Sequence, residues 1–523
     1  MTGWINKPKN GIIIAGSAAL LIAYSCYMFL SFAKIPINSD FSALVLEAND
    51  VLSGNVFLSG WNLTGATFAF TEVLFYSLGV LLFGIDVKAY ILAGTFMYIL
   101  MFGTGILLMK QKEDRFWFSG LLLYFAVAGF PGTFWAESLR AHSGVFVYGF
   151  AAILCLKLLF EAERKWLFAV YLLLVALGSM SDMFIIPICC IPVLIFCGFN
   201  LLSNQTAQRK LNWLILGLTA GGLILGKVFN ETYLWIGGAN ENSLSGVAPF
   251  SALEEIPEHC MVFISCLLKM FRCDFTGTKI FSVSTGWNFL RIWILLYGFS
   301  VVCQTLKSFF LRRNFDNVNV ILSLGIVVQS VFLIITPFMN GLQSGRYFSF
   351  FPISFAVLIV RDLRKKQVFG LKLANRSLPA NLLIAVYCLL LIAGSVQPVS
   401  LSRAVSGQDR LATFLREQGL TDGYGDFWTA NTVTVASENR VKVRALSFEA
   451  VDSVQQPYAY LWFSKTGWYH PEYANFIVIG STGFKEVNEE NVNKFFGEPV
   501  EKLVFEDYGI YIYDHDISGK IIL

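Results

Sequence analysis

Long apolar runs recur along residues 11–398, and the loops between them alternate between basic and acidic or neutral. A helix needs roughly 20 apolar residues to cross a bilayer, because hydrocarbon offers its backbone N–H and C=O groups no other partner. About eleven runs approach that length. They lie near 11–33, 88–109, 116–131, 143–160, 166–181, 183–200, 211–229, 290–309, 318–337, 347–360 and 380–398. With the N-terminus inside, alternation collects Lys110, Lys112 and Arg115 on one side. Arg164, Lys165, Arg209, Lys210, Lys307, Arg312 and Arg313 follow them there, and so do Arg361, Arg364, Lys365, Lys366, Lys372 and Arg376. Lys and Arg favour cytoplasmic loops, so this side is expected to face the cytoplasm.

Only 14% of the 523 residues are charged, well under the roughly 25% of soluble domains. The net charge of +3 is too small for a nucleic-acid footprint, and no nucleic acid is expected as a partner. From about Ser400 the pattern changes. Residues 408–418 carry a helical period, whereas 431–436, 440–446, 475–480 and 509–513 alternate or cluster like strands. Gly423-Tyr424-Gly425 and Ser481-Thr482-Gly483 read as turns. The expected fold is an α-helical polytopic membrane protein of about eleven transmembrane helices over 1–398, followed by an extracytoplasmic α/β domain over 399–523. The expected location is a bacterial inner membrane, with the C-terminal domain in the periplasm.

The outer side then holds the residues able to do chemistry. An ionisable group at a membrane surface is costly and marks a candidate site. Asp40 follows the first run by a few residues, where its carboxylate is placed to take a proton from a hydroxyl. Its competing role is a loop acid or helix cap, because Ser39 and Asp40 precede a helical pattern over 39–52. That pattern reads as an interfacial helix, with Glu47 and Asp50 on its polar face. Glu72 interrupts an apolar segment, and a buried acid needs a partner or a role. Arg140 and His142 follow the third run, and Arg346 and Tyr347 precede the tenth. An arginine fork suits phosphate. Asp182, in the turn between two runs, reads as a helix cap with a secondary claim to function, and Lys279 is a further cation on this side. No Walker loop or zinc-type spacing is present, and no metal or cofactor is expected.

An acid opening the first outer loop, interfacial helices, an Arg-Tyr pair before a late span and a terminal outer domain together resemble the GT-C superfamily. Its members are membrane glycosyltransferases that use polyprenyl-phosphate sugars. Thr71-Glu72-Val73-Leu74-Phe75-Tyr76-Ser77-Leu78 is similar to the Glu-Lys-Pro-Pro-Leu-Tyr-Tyr-Trp segment of the aminoarabinose transferase and protein mannosyltransferase branch. Gly345-Arg346-Tyr347-Phe348 is similar to that branch's Ser-Arg-Tyr motif. In size and layout the chain also resembles the O-antigen-modifying glucosyltransferases. The resemblance implies Asp40 as base, Glu72 as a second acid that positions substrate, and Arg346 beside the lipid phosphate. The Lys-Pro-Pro after Glu72 is missing, so Arg140 or Lys279 would replace the donor-contacting lysine.

The expected activity is inverting transfer of a sugar from a polyprenyl-phosphate donor, such as an undecaprenyl phosphate, to a glycan or lipid acceptor at the outer face. Asp40 and Glu72 are the expected catalytic pair. Arg346, Arg140, His142 and Tyr347 are expected to hold the donor phosphate, with Glu47, Asp182 and Lys279 as secondary candidates. Membrane lipids, a polyprenyl-phosphate sugar synthase and a flippase are the expected partners. The alternative is a transporter or flippase for a lipid-linked or anionic substrate. Gathering of the acids on one face favours the enzyme, because ion-coupled transporters place such groups at mid-membrane.

Overall fold

The computed structural model describes residues 8–111, 117–162, 164–202, 208–237, 240–241, 249–368, 380–396, 402–451, 454–480 and 483–523. Lys112, Arg115, Lys372, Arg376 and the turn residues Ser481 and Thr482 lie outside them. Helices occupy all the long apolar runs. They are α1 (Pro8–Phe32), then, after α2 (Ser39–Leu52) and α3 (Leu74–Phe83), α4 (Val87–Met109) and α5 (Trp117–Ala128). After the short α6 (Thr133–Ser138) come α7 (Ser143–Glu161), α8 (Lys165–Ser181), α9 (Ile191–Leu202) and α10 (Arg209–Gly237). Beyond α11 (Ile256–Met270) stand α12 (Val283–Phe310), α13 (Asn317–Ile335), α14 (Phe350–Lys365) and α15 (Ala380–Ala393). Among the described residues, five of these (α4, α7, α10, α12 and α13) are long and apolar enough to cross a membrane by length and composition. Of the others, α5, α8, α9, α14 and α15 are shorter, and α1 is apolar over Ala19–Phe32. Before α9, a π-helical turn at Ile186–Cys190 carries Pro187, which has no N–H to give the helix.

Lys157, Arg361 and Arg364 gather at the C-terminal end of α4. There the last carbonyls of α4 have no helical partner, and cations supply one. Lys157 Nζ donates to Leu107 O (2.6 Å) and Lys110 O (2.5 Å), Arg361 to Leu108 O (2.7 Å), and Arg364 to Met109 O (2.8 Å). Arg361 also donates to Asn319 (2.7 Å) and pairs with Asp316 (2.6 Å). Positive charge at a helix C-terminus also suits the helix dipole.

The C-terminal part builds a six-stranded sheet. Its strands are β3 (Asp422–Gly425), β4 (Lys442–Val451), β5 (Val454–Ala459), β7 (Phe476–Gly480), β8 (Glu501–Phe505) and β9 (Tyr508–Ile512), in spatial order β5-β4-β3-β7-β9-β8. β3 runs parallel to β4 and β7, and the other neighbours are antiparallel. The helices of this part are α16 (Gly407–Glu417), α17 (Phe427–Ala436) and α18 (Glu489–Phe496). The alternation at 431–436 predicts a strand, yet these residues form the end of α17. Asp426 caps that helix by accepting from Trp428 N, and Thr434 folds its hydroxyl back onto Ala430 O. α17 packs against α2, and this tertiary contact overrides the β-branched run.

α2 begins as the spacing predicts, but Asn38, not Ser39 or Asp40, is its cap: the Asn38 side chain accepts from Phe41 N (3.2 Å). Nor does α2 lie as an interfacial helix with a free polar face. It is packed between α17 and α3, and most of its first nine residues are buried. A second, small sheet ties this region to the C-terminal part. β1 (Trp61–Leu63) pairs with β6 (Ser464–Lys465) and with β2 (Asn240–Glu241). Asp50 completes the tie by accepting from Trp61 Nε1 (2.7 Å) and bridging to Lys465 (3.0 Å). Burial opposes its charge, but hydrogen bonds from Trp61, Asn55 and Lys465 outweigh burial and hold the carboxyl below its usual range.

Candidate functional site

A cavity of about 560 Å³ opens at the end of the bundle opposite the capped α4 carbonyls. Its acids, its imidazole and its arginine come from four separate places in the chain. Asp40 comes from the first turn of α2 and His142 from the residue before α7. Asp182 follows α8, and Arg346 and Tyr347 end a 3₁₀ turn, Leu342–Tyr347, that leads into α14. Each sits at a helix end or in a turn, where a side chain can leave the helix packing.

Arg346 Nη1 stands 3.8 Å from Asp40 Oδ2, and both side chains keep partial access to water (30% and 21% exposed). The buried Nε of Arg346 has no hydrogen-bond partner. Burial pushes the Asp40 carboxyl above its usual value, against the opposing pull of Arg346 and His142. His142 Nδ1 and Asp182 Oδ2 are 2.6 Å apart. With an ionised aspartate the shared hydrogen belongs to Nδ1–H, which donates and leaves Nε2 as the ring's other polar atom. Asp182 Oδ1 also accepts from Phe184 N (3.0 Å), so Asp182 both caps the next segment and orients the histidine. Tyr347 stacks on Phe184 at 4.6 Å and meets the edge of His142 at 5.0 Å.

Other residues singled out in the sequence lie elsewhere. Arg140 does not line the cavity. It turns inward, over the ring of Tyr90 (4.1 Å), and donates to Pro36 O (2.8 Å), Phe32 O (3.2 Å) and Ile35 O (3.2 Å). Three backbone carbonyls thus occupy the fork expected to meet phosphate. Glu72 is wholly buried behind the cavity, within a π-helical turn (Ala69–Val73). Its Oε1 accepts from Gly144 N (2.9 Å), at the start of α7. Gly144 is required there, because a Cβ would overlap the backbone of Thr71. Burial and the nearby Asp182 push the Glu72 carboxyl well above its usual range. Glu47 is not on a polar face. It is wholly buried, neither carboxylate oxygen has a hydrogen bond, and burial holds it well above its usual value. Lys279 is exposed and does not line the cavity.

Sequence reasoning missed the aromatic part of the lining. Phe427, Trp428, Tyr460, Trp462, Phe463 and Phe484 reach the cavity from the C-terminal part, and Phe68 from the first loop. Phe68, His142 and Phe463 all have left-handed backbones (φ 52°, 61° and 50°). Phe68 touches the other two rings, at 5.1 Å (His142) and 6.2 Å (Phe463). Left-handed non-glycine residues cost free energy and collect at functional sites. No local sequence signal marks such a conformation in a Phe or a His. No protein-family model matches the chain, and no curated protein shows significant sequence similarity to it.

Proposed function

We propose that the chain is an inverting glycosyltransferase of the membrane, taking a sugar from a polyprenyl-phosphate donor at the outer face. One observation carries the reading: a single cavity holds a half-buried carboxylate, Asp40, beside a cation with an unused buried N–H, Arg346. The eleven-span topology, the cytoplasmic N-terminus and an extracytoplasmic α/β domain over 399–523 belong to the same proposal. So does the resemblance of residues 71–78 and 345–348 to GT-C enzymes.

In this mechanism the donor's phosphate lies against Arg346 and His142, with Tyr347 beside them. An acceptor hydroxyl attacks the anomeric carbon from the face opposite the phosphate, and Asp40 takes its proton. The bond between the anomeric carbon and the phosphate oxygen breaks, and the polyprenyl phosphate leaves with the electron pair, its charge met by Arg346. One direct displacement inverts the anomeric centre. The Asp40–Arg346 pair ties the steps together. Arg346 lowers the proton affinity of Asp40, so a donor phosphate that draws the arginine's charge away makes Asp40 a stronger base when it is needed. Glu72 acts from behind: it holds the start of α7, and hence His142, in place.

The test is sugar transfer in membranes containing Asp40→Asn at equal expression. Transfer lost with the fold intact supports the reading; undiminished transfer removes Asp40 as base. Substrate movement across the membrane with no transfer product would instead favour a transporter.

A further inference from the structure

The cavity is built in two chemically different halves. The acids, the imidazole and the arginine of its lining — Asp40, Asp182, His142 and Arg346 — all come from the helical part. The C-terminal part contributes only uncharged side chains, all of them aromatic. They are held as one surface. Tyr460 packs against Phe427 (5.4 Å) and Phe484 (5.0 Å), and Phe427 against Trp428 (5.2 Å). The surface is also fixed to the charged half. Ser39, one residue before Asp40, donates to Phe427 O, and Lys465 of β6, just beyond Trp462, bridges to Asp50 of α2. Phe463 is held in a left-handed backbone that aligns its ring with Phe68.

We propose that this aromatic surface is a carbohydrate subsite, and that the acceptor is therefore a glycan. Trp428, Tyr460, Trp462 and Phe484 stack on the C–H faces of its sugar rings while its hydroxyls reach water or the Tyr and Trp polar atoms. The proposal rests on the charged half being the sugar-phosphate site. Rigid rings with a polar edge suit a ligand with apolar faces and a hydroxylated rim. Absence of charge among the described residues of this half fits a neutral ligand rather than a second phosphate. A prenyl chain is the competing occupant. Yet Trp428 is 43% exposed, so the surface meets water, whereas Met183, Phe184, Pro337 and Phe338 line the cavity from segments beside the bundle's own helices. A lipid chain has its path there.

The experiment uses the full chain in nanodiscs and ligand-observed saturation-transfer NMR. The probes are a panel of soluble disaccharides (maltose, lactose and a rhamnose disaccharide) and, separately, farnesyl phosphate. Trp462→Ala should weaken the bound disaccharide about tenfold and leave farnesyl phosphate unchanged, while Arg346→Ala should do the reverse. Trp462→Phe, which keeps a ring and guards against a folding artefact, should stay within about threefold of the parent. Three outcomes overturn the proposal: unaltered disaccharide binding by Trp462→Ala, weakening of farnesyl phosphate instead, or no wild-type binding to any disaccharide at about 10 mM. Binding is read without turnover. A chain that binds disaccharides but transfers nothing would remove the enzyme and keep the subsite.

Discussion

Arg361 and Arg346 stand near opposite ends of α14, and they are used in opposite ways. Arg361 donates to a backbone carbonyl, an asparagine and an aspartate, and its neighbours Arg364 and Lys157 donate to α4 carbonyls as well. Arg346 has one loose ion pair at 3.8 Å, a ring contact with Tyr347 and a buried Nε with no partner. A cation whose donors are filled by the protein's own backbone is scaffold. A cation with a donor left over beside a cavity has capacity for a ligand, since buried polar groups are otherwise almost always paired. Arg140 teaches the same lesson near the cavity itself. By sequence it stands with His142, but its three carbonyl partners put it with Arg361.

The sharpest way to break this contrast is at Asp40. Asp40→Asn keeps the shape and removes the base, so transfer should fall by roughly 10²–10⁴-fold with thermal stability little changed. The pH profile follows from the direction of the shift. A base must be ionised, and burial holds Asp40 above the ordinary carboxylate range, so the acid limb should lie above about pH 4. Arg346→Ala removes the cation that opposes that rise, so the limb should move further up in pH. A limb that moves down would show that Arg346 does not act on Asp40.

How much of this could be read from the chain depends on the kind of signal. Apolar runs and Lys/Arg alternation are strong, local and cumulative, and a helix lies at every run. Asp40, His142, Asp182, Arg346 and Tyr347 were legible as polar residues at the ends of runs, although nothing local says that four distant loops meet. Glu47 and Arg140 misled, because their surroundings come from other segments: α2 is covered by α17, and Arg140 reaches the carbonyls after α1. The aromatic half was illegible. Trp462 and Phe463 carry no periodicity that separates a cavity wall from a core, and the β1–β6 pairing that positions them joins segments about four hundred residues apart in sequence.

A crossed pair of substitutions tests the two arginines directly. Arg361→Ala should lower stability by about 3 kcal/mol, by orphaning Asn319 and the Leu108 carbonyl, with some relief because Asp316 is partly exposed. Transfer per folded molecule should stay near normal. Arg346→Ala should leave the melting temperature nearly unchanged and raise the apparent donor KM roughly 10–100-fold. If the two variants behave alike, filled donors do not distinguish scaffold from site. Arg140→Ala should follow Arg361→Ala.

Asp182→Asn is a subtler probe, because Asp182 acts through His142. Losing the carboxylate weakens the hold on Nδ1–H and so on the orientation of the ring. Transfer per folded molecule should drop about tenfold. Undiminished transfer per folded molecule, with stability lowered, would mean that Asp182 serves only as the cap of the segment after α8.

Glu47 offers the smallest effect and the cleanest sign. Its folded pKa lies above the unfolded value because burial disfavours the charge. Below pH about 4.5 both states are protonated and the residue is neutral in its effect. As pH rises past that point the unfolded chain releases its proton first, so the folded state loses stability until Glu47 itself ionises. Glu47→Gln removes this titration while keeping the shape. The variant should therefore melt a few degrees higher than the parent at neutral pH, with the gap closing toward pH about 4.5. A constant gap, or one that widens in acid, would show that Glu47 has a partner that compensates its charge. The acid would then belong with the engaged residues of α2, such as Asp50, rather than standing alone in the packing between α2 and its neighbours.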